Sequence, residues 1–210
     1  MSKHKNIENG KIVKNFRFKY DKRKILRRLG YKKKSQNPDD SLLDLIREGK
    51  QRCQSLIKPA SIYSIINYED TNKHSIFQYA EKVALSVCTI GHEIDKHIDE
   101  LFKKDETLNA LIFDAIGSEA INQVALQTDH FLAFKAREMN LWASKRFSPG
   151  YKQWELNEQK FVFQKVPAQK IGVKLLESFM MIPRKSTSFR INFYKNKSLT
   201  TRRYPKISMI

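Results

Sequence analysis

The longest regular pattern in this sequence is helical and runs from about Glu106 to Met139, with Asp105 expected as its N-cap. A helix of that length crosses a small domain from end to end. It restricts the chain to folds that can wrap their other elements around it. Placed at about 100° per residue, Leu108, Leu111, Ile112, Ala115 and Ile116 form one apolar stripe. Glu119 projects onto the middle of that stripe, and Asn122 and Gln123 flank it one turn later. A carboxylate in that position is either paired or faces a polar cavity, because burying an unpaired charge is costly. The alternative is that the helix simply emerges into solvent after Ile116, which Gly117 and Ser118 permit.

The rest of the chain mixes helix and strand signals. DKRKILRRLG (21–30) reads as a short helix with Asp21 as N-cap and Gly30 as its stop. Residues 37–57 read as an amphipathic helix opened by Pro38 and the Asp39, Asp40, Ser41 cluster, with Leu42, Leu45, Ile46 and Ile57 facing the core. SIYSIIN (61–67) is a strand candidate, and KVALSVCTIG (82–91) is a buried strand or a strand leading into a helix. HEIDKHIDELF (92–102) has Ile94, Ile98 and Leu101 at helical spacing. WASKRFSPGY reads as irregular, and residues 155–166 read as a helix. Residues 172–181 and 186–194, separated by IPRK, read as two strands of a hairpin-like pair. No regular β-α-β alternation is present, so the expected class is α+β with an antiparallel sheet. The last fifteen or so residues carry no pattern and are expected to be disordered.

With 210 residues, 40% apolar and 30% charged, one globular domain with a sizeable core is expected. No apolar run reaches the ~18 residues of a membrane span, and the basic start lacks the apolar segment of a secretory signal. Cys53 and Cys88 lie far apart and form no metal-type spacing, which suits a reducing, cytoplasmic location.

The formal net charge is +18. Residues 1–34 contain 14 Lys/Arg against Glu8 and Asp21, and residues 182–210 contain 8 Lys/Arg and no acid. The middle of the chain is therefore close to neutral. Basic ends can bind RNA, steer docking to an acidic protein, or simply be solvated. The aromatics show no stacking-platform spacing, which argues against nucleic acid. The organisation expected is a basic extension over 1–20, one domain over 21–195 and a basic tail over 196–210.

The usual catalytic signatures are missing. HEIDKH puts its second histidine, His97, one residue too late for a zinc-binding helix. No phosphate-binding glycine loop or nucleophile elbow is present, and Ser148 has no histidine near it in sequence. Cys88 sits in apolar surroundings that would raise its pKa and make it inert. The Met180, Met181 pair reads as core filling.

One stretch is left over. RFSPGY (146–151) has the Pro and Gly of a turn, but a turn requires neither the Arg nor the Tyr that flank it. Together with LGYK (29–32), CTIGHEID (88–95), DAIGSEA (114–120), KRFSPGYKQWELNEQ (145–159) and IGVKLLESFMMIPRKS (171–186), this stretch resembles the activation, or reactivation, domain of cobalamin-dependent methionine synthase, here in a free-standing form. The similarity runs from about residue 21 to about residue 192.

The resemblance implies a single C-shaped or helmet-like α+β domain, a twisted antiparallel sheet flanked by helices, binding S-adenosylmethionine in a shallow groove. It implies that Arg146 contacts the ligand carboxylate, a role suited to a guanidinium with two parallel donors. Ser148, Pro149 and Gly150 would form the turn against the ligand, and Tyr151 would line the groove. Glu119 would meet the ligand's ammonium or ribose from the long helix. Cobalamin would be carried by a partner, a methionine synthase or another corrinoid protein, with a flavodoxin-like electron donor. The basic ends go beyond the family pattern, and steering of docking to such a partner is the role expected of them. A non-catalytic module that senses S-adenosylmethionine or binds a corrinoid protein is the alternative.

Overall fold

The computed structural model describes residues 8–31, 37–71, 74–151 and 153–202. A five-stranded antiparallel sheet lies between two apolar layers. Its strands are β1 (Glu8–Val13), β2 (Ala60–Asn67), β3 (Lys82–Thr89), β7 (Ser186–Tyr194) and β4 (Trp142–Ala143), in that spatial order. The helices are α1 (Lys22–Arg28), α2 (Asp40–Leu56), α3 (Glu93–Lys103), α4 (Thr107–Glu138) and α5 (Gln159–Lys165). The α+β expectation of an antiparallel sheet flanked by helices holds.

The middle strands are buried on both faces, which is why they read as near-continuous apolar runs rather than alternating ones. Tyr63 and Ile65 of β2, Ala84 and Cys88 of β3, and Phe189, Ile191 and Phe193 of β7 pack toward α1 to α4. Ile62 and Ile66 of β2 and Val83, Leu85 and Val87 of β3 pack on the other face, against Phe77, Trp154 and α5. On that second face β7 presents Ser188, Arg190 and Asn192, all buried.

Helix termini follow their local chemistry. Asp21 caps α1 by accepting from the Arg23 N–H at 2.9 Å, and the chain leaves α1 through Gly30, whose N–H donates to the Arg27 carbonyl. Asp39 caps α2 by accepting from the Leu42 N–H at 2.8 Å. Glycine at 49 lets α2 approach α4 closely, since a Cβ there would lie 2.9 Å from Ile116 Cδ1.

Several expectations are corrected. Asp105 does not cap α4. It takes a left-handed conformation (φ 58) in the tight α3–α4 turn, and Glu106 occupies the N-cap position. Leu108 and Leu111 are about half exposed, while Ala110, Ile112, Phe113 and Ile116 carry the buried face. Residues 172–181 do not pair with β7. They contribute β5 (Lys174–Leu175), which pairs with β6 (Met181–Ile182) as a separate small ribbon. β7 has no free edge for them, because β3 takes one side and β4 with Phe147 takes the other. Met180 is 61% exposed and fills no core, and Met181 is partly buried against Trp154 and its neighbours.

The basic ends are less separate from the fold than their composition suggests. β1 lies within the segment expected as an extension and forms the sheet edge beside β2. From there residues 14–20 run along α4, where the Gln127 and Gln123 side chains each exchange two hydrogen bonds with the backbone of Arg17 and Lys19. At the other end, Thr200 donates to the Ala143 carbonyl at 2.8 Å. Arg202 forms an ion pair with Asp129 and donates to the Ser144 carbonyl. The described part of the tail, up to residue 202, is therefore anchored. The rest of the expected disordered tail, 203–210, and the beginning of the expected extension, 1–7, lie outside the described residues.

Candidate functional site

The RFSPGY stretch meets the middle of β7. Phe147 forms an antiparallel bridge with Arg190, which anchors the stretch to the sheet. The Tyr151 N–H donates to the Ser148 carbonyl at 3.3 Å, closing a four-residue turn with Pro149 and Gly150 at its centre. Gly150 has φ 87, the positive value that the third residue of a type II turn requires. Its N–H donates to the Trp154 carbonyl at 2.7 Å.

Arg190 lies beneath this turn. It is 7% exposed and has no acidic partner among the described residues. Instead its guanidinium carbon sits 5.0 Å from the Phe147 ring centre, 5.4 Å from that of Phe77 and 5.5 Å from that of Trp154. Its Nη1 donates to Asn192 Oδ1 at 2.7 Å. Burial pushes its pKa down to about 10. Gln159 and Ser188 complete the floor, with the hydroxyl donating to Gln159 Oε1 at 2.7 Å.

Above this floor is a cleft of about 540 Å³. Arg146, Ser148, Pro149 and Tyr151 form one wall, and α4 supplies Ser118, Ile121, Asn122 and Ala125. Arg28 of α1, Met181, the segment before β7 with Arg184 and Lys185, and Thr187 and Phe189 of β7 complete the lining. Arg146 donates from Nη2 to Asn122 Oδ1 at 2.9 Å, while its Nη1 is enclosed with no hydrogen-bond partner. Arg184 is neutralised by Asp99 at 2.7 Å and by Asp95, and Lys185 by Asp114 at 2.6 Å. These pairs tie the β6–β7 connection to α3 and α4.

Of the six residues singled out in the sequence, four meet at this cleft: Arg146, Ser148, Pro149 and Tyr151. Gly150 shapes the turn without being part of the lining. Glu119 is not brought to the cleft. It is 1% exposed and belongs to a different face of α4, where its Oε1 meets Lys24 Nζ at 3.4 Å and accepts from Gln123 Nε2 at 3.1 Å. The helix does not emerge into solvent there, because residues 14–20 and α1 cover it. Glu119 lines a second hollow with Lys19, Tyr20, Asp21 and Lys24. Cys88 is fully buried, and its burial pushes the thiol up to about 11, as its apolar surroundings implied.

Sequence reasoning did not single out Arg190, Gln159, Ser188 or Arg28. The signal for two of them was present in STSFRINFY, where Ser188, Arg190 and Asn192 alternate with Phe189, Ile191 and Phe193. A polar residue at every second position of a buried strand marks a face that meets something polar. Gln159 and Arg28 reach the cleft only through the tertiary fold. Among the described residues, no group of three or more His, Cys, Asp or Glu is placed to hold a metal ion, and no helix is long and apolar enough to cross a membrane.

No protein-family model matches the sequence, and no curated protein is detectably similar to it. Solved structures do match. The chain is similar in fold to the MetH reactivation domain. The crystal structure of that domain bound to AdoHcy superposes with a TM-score of 0.66 over 93% of this chain and 80% of that one, at 14% sequence identity. At that identity the likeness is one of fold. The MetH neighbour carries its adenosyl ligand in a domain of the same architecture.

Proposed function

We propose that the cleft beside the RFSPGY turn binds S-adenosylmethionine, and that the protein supports reductive methylation of a cobalamin carried by a separate corrinoid protein in the cytoplasm. The observation that carries this reading is Arg146. Its guanidinium stands at the cleft with an enclosed, unused donor and no acidic partner among the described residues. A ligand carboxylate would supply the missing counter-charge, because charge-assisted donors are strongest when paired with an anion. The reactivation-domain fold, seen with an adenosyl ligand in the MetH neighbour, supports the same choice.

The residues present suit binding and orientation. Asn122 holds the Arg146 guanidinium in place. Tyr151 and Phe189 offer aromatic surface, and Ser118, Ser148 and Thr187 offer hydroxyls for a sugar. S-adenosylmethionine brings an already activated methyl group, so the protein's part is to position it against a second cofactor and to limit water. A general base or protein nucleophile is not required for that task. An electron donor such as a flavodoxin would act on the partner, and the basic ends would favour an acidic docking surface. A module that binds the ligand or the corrinoid protein without supporting transfer is the alternative. Mixing the protein with a Co(II) corrinoid partner, a reductant and labelled methyl donor separates the two by whether label reaches cobalt.

Calorimetric titration with S-adenosylmethionine tests the binding claim. The wild type should bind, and Arg146→Ala should lose on the order of 2 kcal/mol or more. A wild type that does not bind would overturn the reading.

A further inference from the structure

We infer that the exposed face of α4 beside residues 14–20 is a docking surface for an acidic amphipathic helix of a partner protein. This surface shares no lining residue with the cleft and does not depend on the ligand reading.

α4 turns a row of side chains outward at Leu126, His130 and Phe134, each about one turn from the next. Phe134 is 63% exposed and Leu126 is 41% exposed. A single apolar residue at the surface needs no explanation. Here two large ones share a row, and the row runs into a hollow. Leu126 is part of the lining of the hollow of about 470 Å³ that Lys19, Tyr20, Lys24 and Gln123 also form. The two acids of that hollow are already engaged. Asp21 caps α1, and Glu119 meets Lys24 and Gln123.

Residues 14–20 wall the row on one side. Gln127 Oε1 accepts from the Arg17 N–H at 3.1 Å and Gln123 Oε1 from the Lys19 N–H at 2.9 Å, and each amide donates back to the carbonyl of the same residue. These bonds turn the backbone of Arg17 and Lys19 toward the helix and leave their side chains exposed. Lys14, Arg17, Lys19, Lys22 and Arg23 are all exposed, and none has an ion pair among the described residues. Asp21 is the sole acid in residues 14–24. The wall is therefore an uncompensated cationic strip, held rigid beside an apolar row.

That combination fits one kind of occupant. A row at every fourth position is a ridge, and a ridge packs into the groove between the ridges of another helix. The cationic wall selects a helix whose flank is acidic. A second copy of this chain would bring the same cations against these, with +18 on each molecule. Two large apolar side chains with a histidine between them give a bilayer little to bury. One exposed aromatic gives RNA no series of rings on which to stack bases. Because the wall is already fixed by its hydrogen bonds to α4, docking has little backbone left to order.

Titration of the labelled protein with a synthetic helical peptide of about 18 residues, leucine on one face and glutamate on the other, tests this by amide chemical shifts. The shifts should cluster on α4 from Leu126 to Phe134 and on residues 17–19. Phe134→Ser leaves the core untouched and should weaken binding about fivefold or more. Arg17→Glu combined with Lys19→Glu should weaken it on the order of tenfold at low salt and far less at high salt. No binding by the wild type, equal binding of a scrambled peptide of the same composition, or a Phe134→Ser variant that binds as well as wild type would overturn the inference. So would self-association, or tighter binding of single-stranded RNA or phosphatidylglycerol vesicles, that Phe134→Ser abolishes. None of these measurements involves the adenosyl cleft, so failure here leaves the ligand reading to its own test.

Discussion

Phe147 and Arg190 exchange both backbone hydrogen bonds, the Phe147 N–H donating to the Arg190 carbonyl at 3.0 Å and the Arg190 N–H to the Phe147 carbonyl at 2.8 Å. The residue that precedes the bridge is Arg146 of the cleft wall, and the residue that follows it is Ser148 of the turn. The Arg190 side chain then reaches the rings at both ends of the turn, Phe147 and Trp154. A buried guanidinium thus connects the strand to the shape of the site above it.

Arg190→Met tests that connection. The substitution keeps the backbone bridge and much of the volume, but it leaves Asn192 Oδ1 without its donor and the three rings without their cation. A stability loss of about 1–2 kcal/mol is expected. Ligand affinity should fall several-fold as the turn loosens, although Arg190 is not among the residues that line the cleft. Urea unfolding and calorimetric titration measure the two effects separately. Affinity equal to wild type would show that the bridge alone holds the turn.

Gly150→Ala isolates the backbone conformation. A Cβ at this position would meet only Leu156 Cδ1 at 3.5 Å, an ordinary contact. The cost is therefore conformational, arising from φ 87, and amounts to about 1–2 kcal/mol. The turn should relax away from positive φ and displace Ser148 and Tyr151. Thermal unfolding should show a lowered midpoint, and titration should show weaker ligand binding. A variant with wild-type stability would mean that the turn tolerates a second geometry.

The sequence announced the elements whose signal is local. The turn in RFSPGY, the Asp39 cap of α2 and the doubly buried β2 and β3 were all legible, because periodicity and turn chemistry act over a few residues. What it concealed depends on pairing across the chain. β1 has few apolar residues and is an edge strand, so its six residues look like part of a basic extension. The partner of β7 was misread because sequence adjacency favours a hairpin, whereas the sheet leaves no edge for residues 172–181. Glu119 was legible as anomalous but not as paired, since its partner Lys24 lies 95 positions away. The four cleft residues legible in the sequence come from one continuous stretch, whereas Arg28, Gln159, Ser188 and Arg190 come from three other segments, α1, α5 and β7.

Glu119 provides a sharp test of that difference. The resemblance placed it at the ligand, and the structure places it against Lys24 on another face of α4. Glu119→Gln removes the charge while keeping the shape, and ligand affinity should stay within about twofold of wild type at a site it does not touch. Lys24→Ala should be the more harmful change, because it leaves a buried carboxylate without its cation. The Lys24 side chain is 43% exposed and water can partly replace it, so a cost of about 1–2 kcal/mol is expected rather than the larger penalty of a fully buried pair. A large loss of ligand affinity in Glu119→Gln, with stability intact, would return Glu119 to the binding site.

The two cysteines set an alkaline limit on the fold. Burial pushes the thiols of Cys53 and Cys88 from 9.0 up to about 11. The folded state therefore keeps both protons where the unfolded chain has begun to lose them. Their contribution is fully present below pH 9.0 and is lost as the pH rises through about 11. Each thiol accounts for about 3 kcal/mol at most. Urea unfolding should give a flat stability from neutral pH to about pH 9 and a decline above it. Cys88→Ala should reduce the steepness of that decline, and native protein should resist alkylation at both thiols near neutral pH. Rapid alkylation of either cysteine in the folded protein would show that its site opens far more readily than its burial implies.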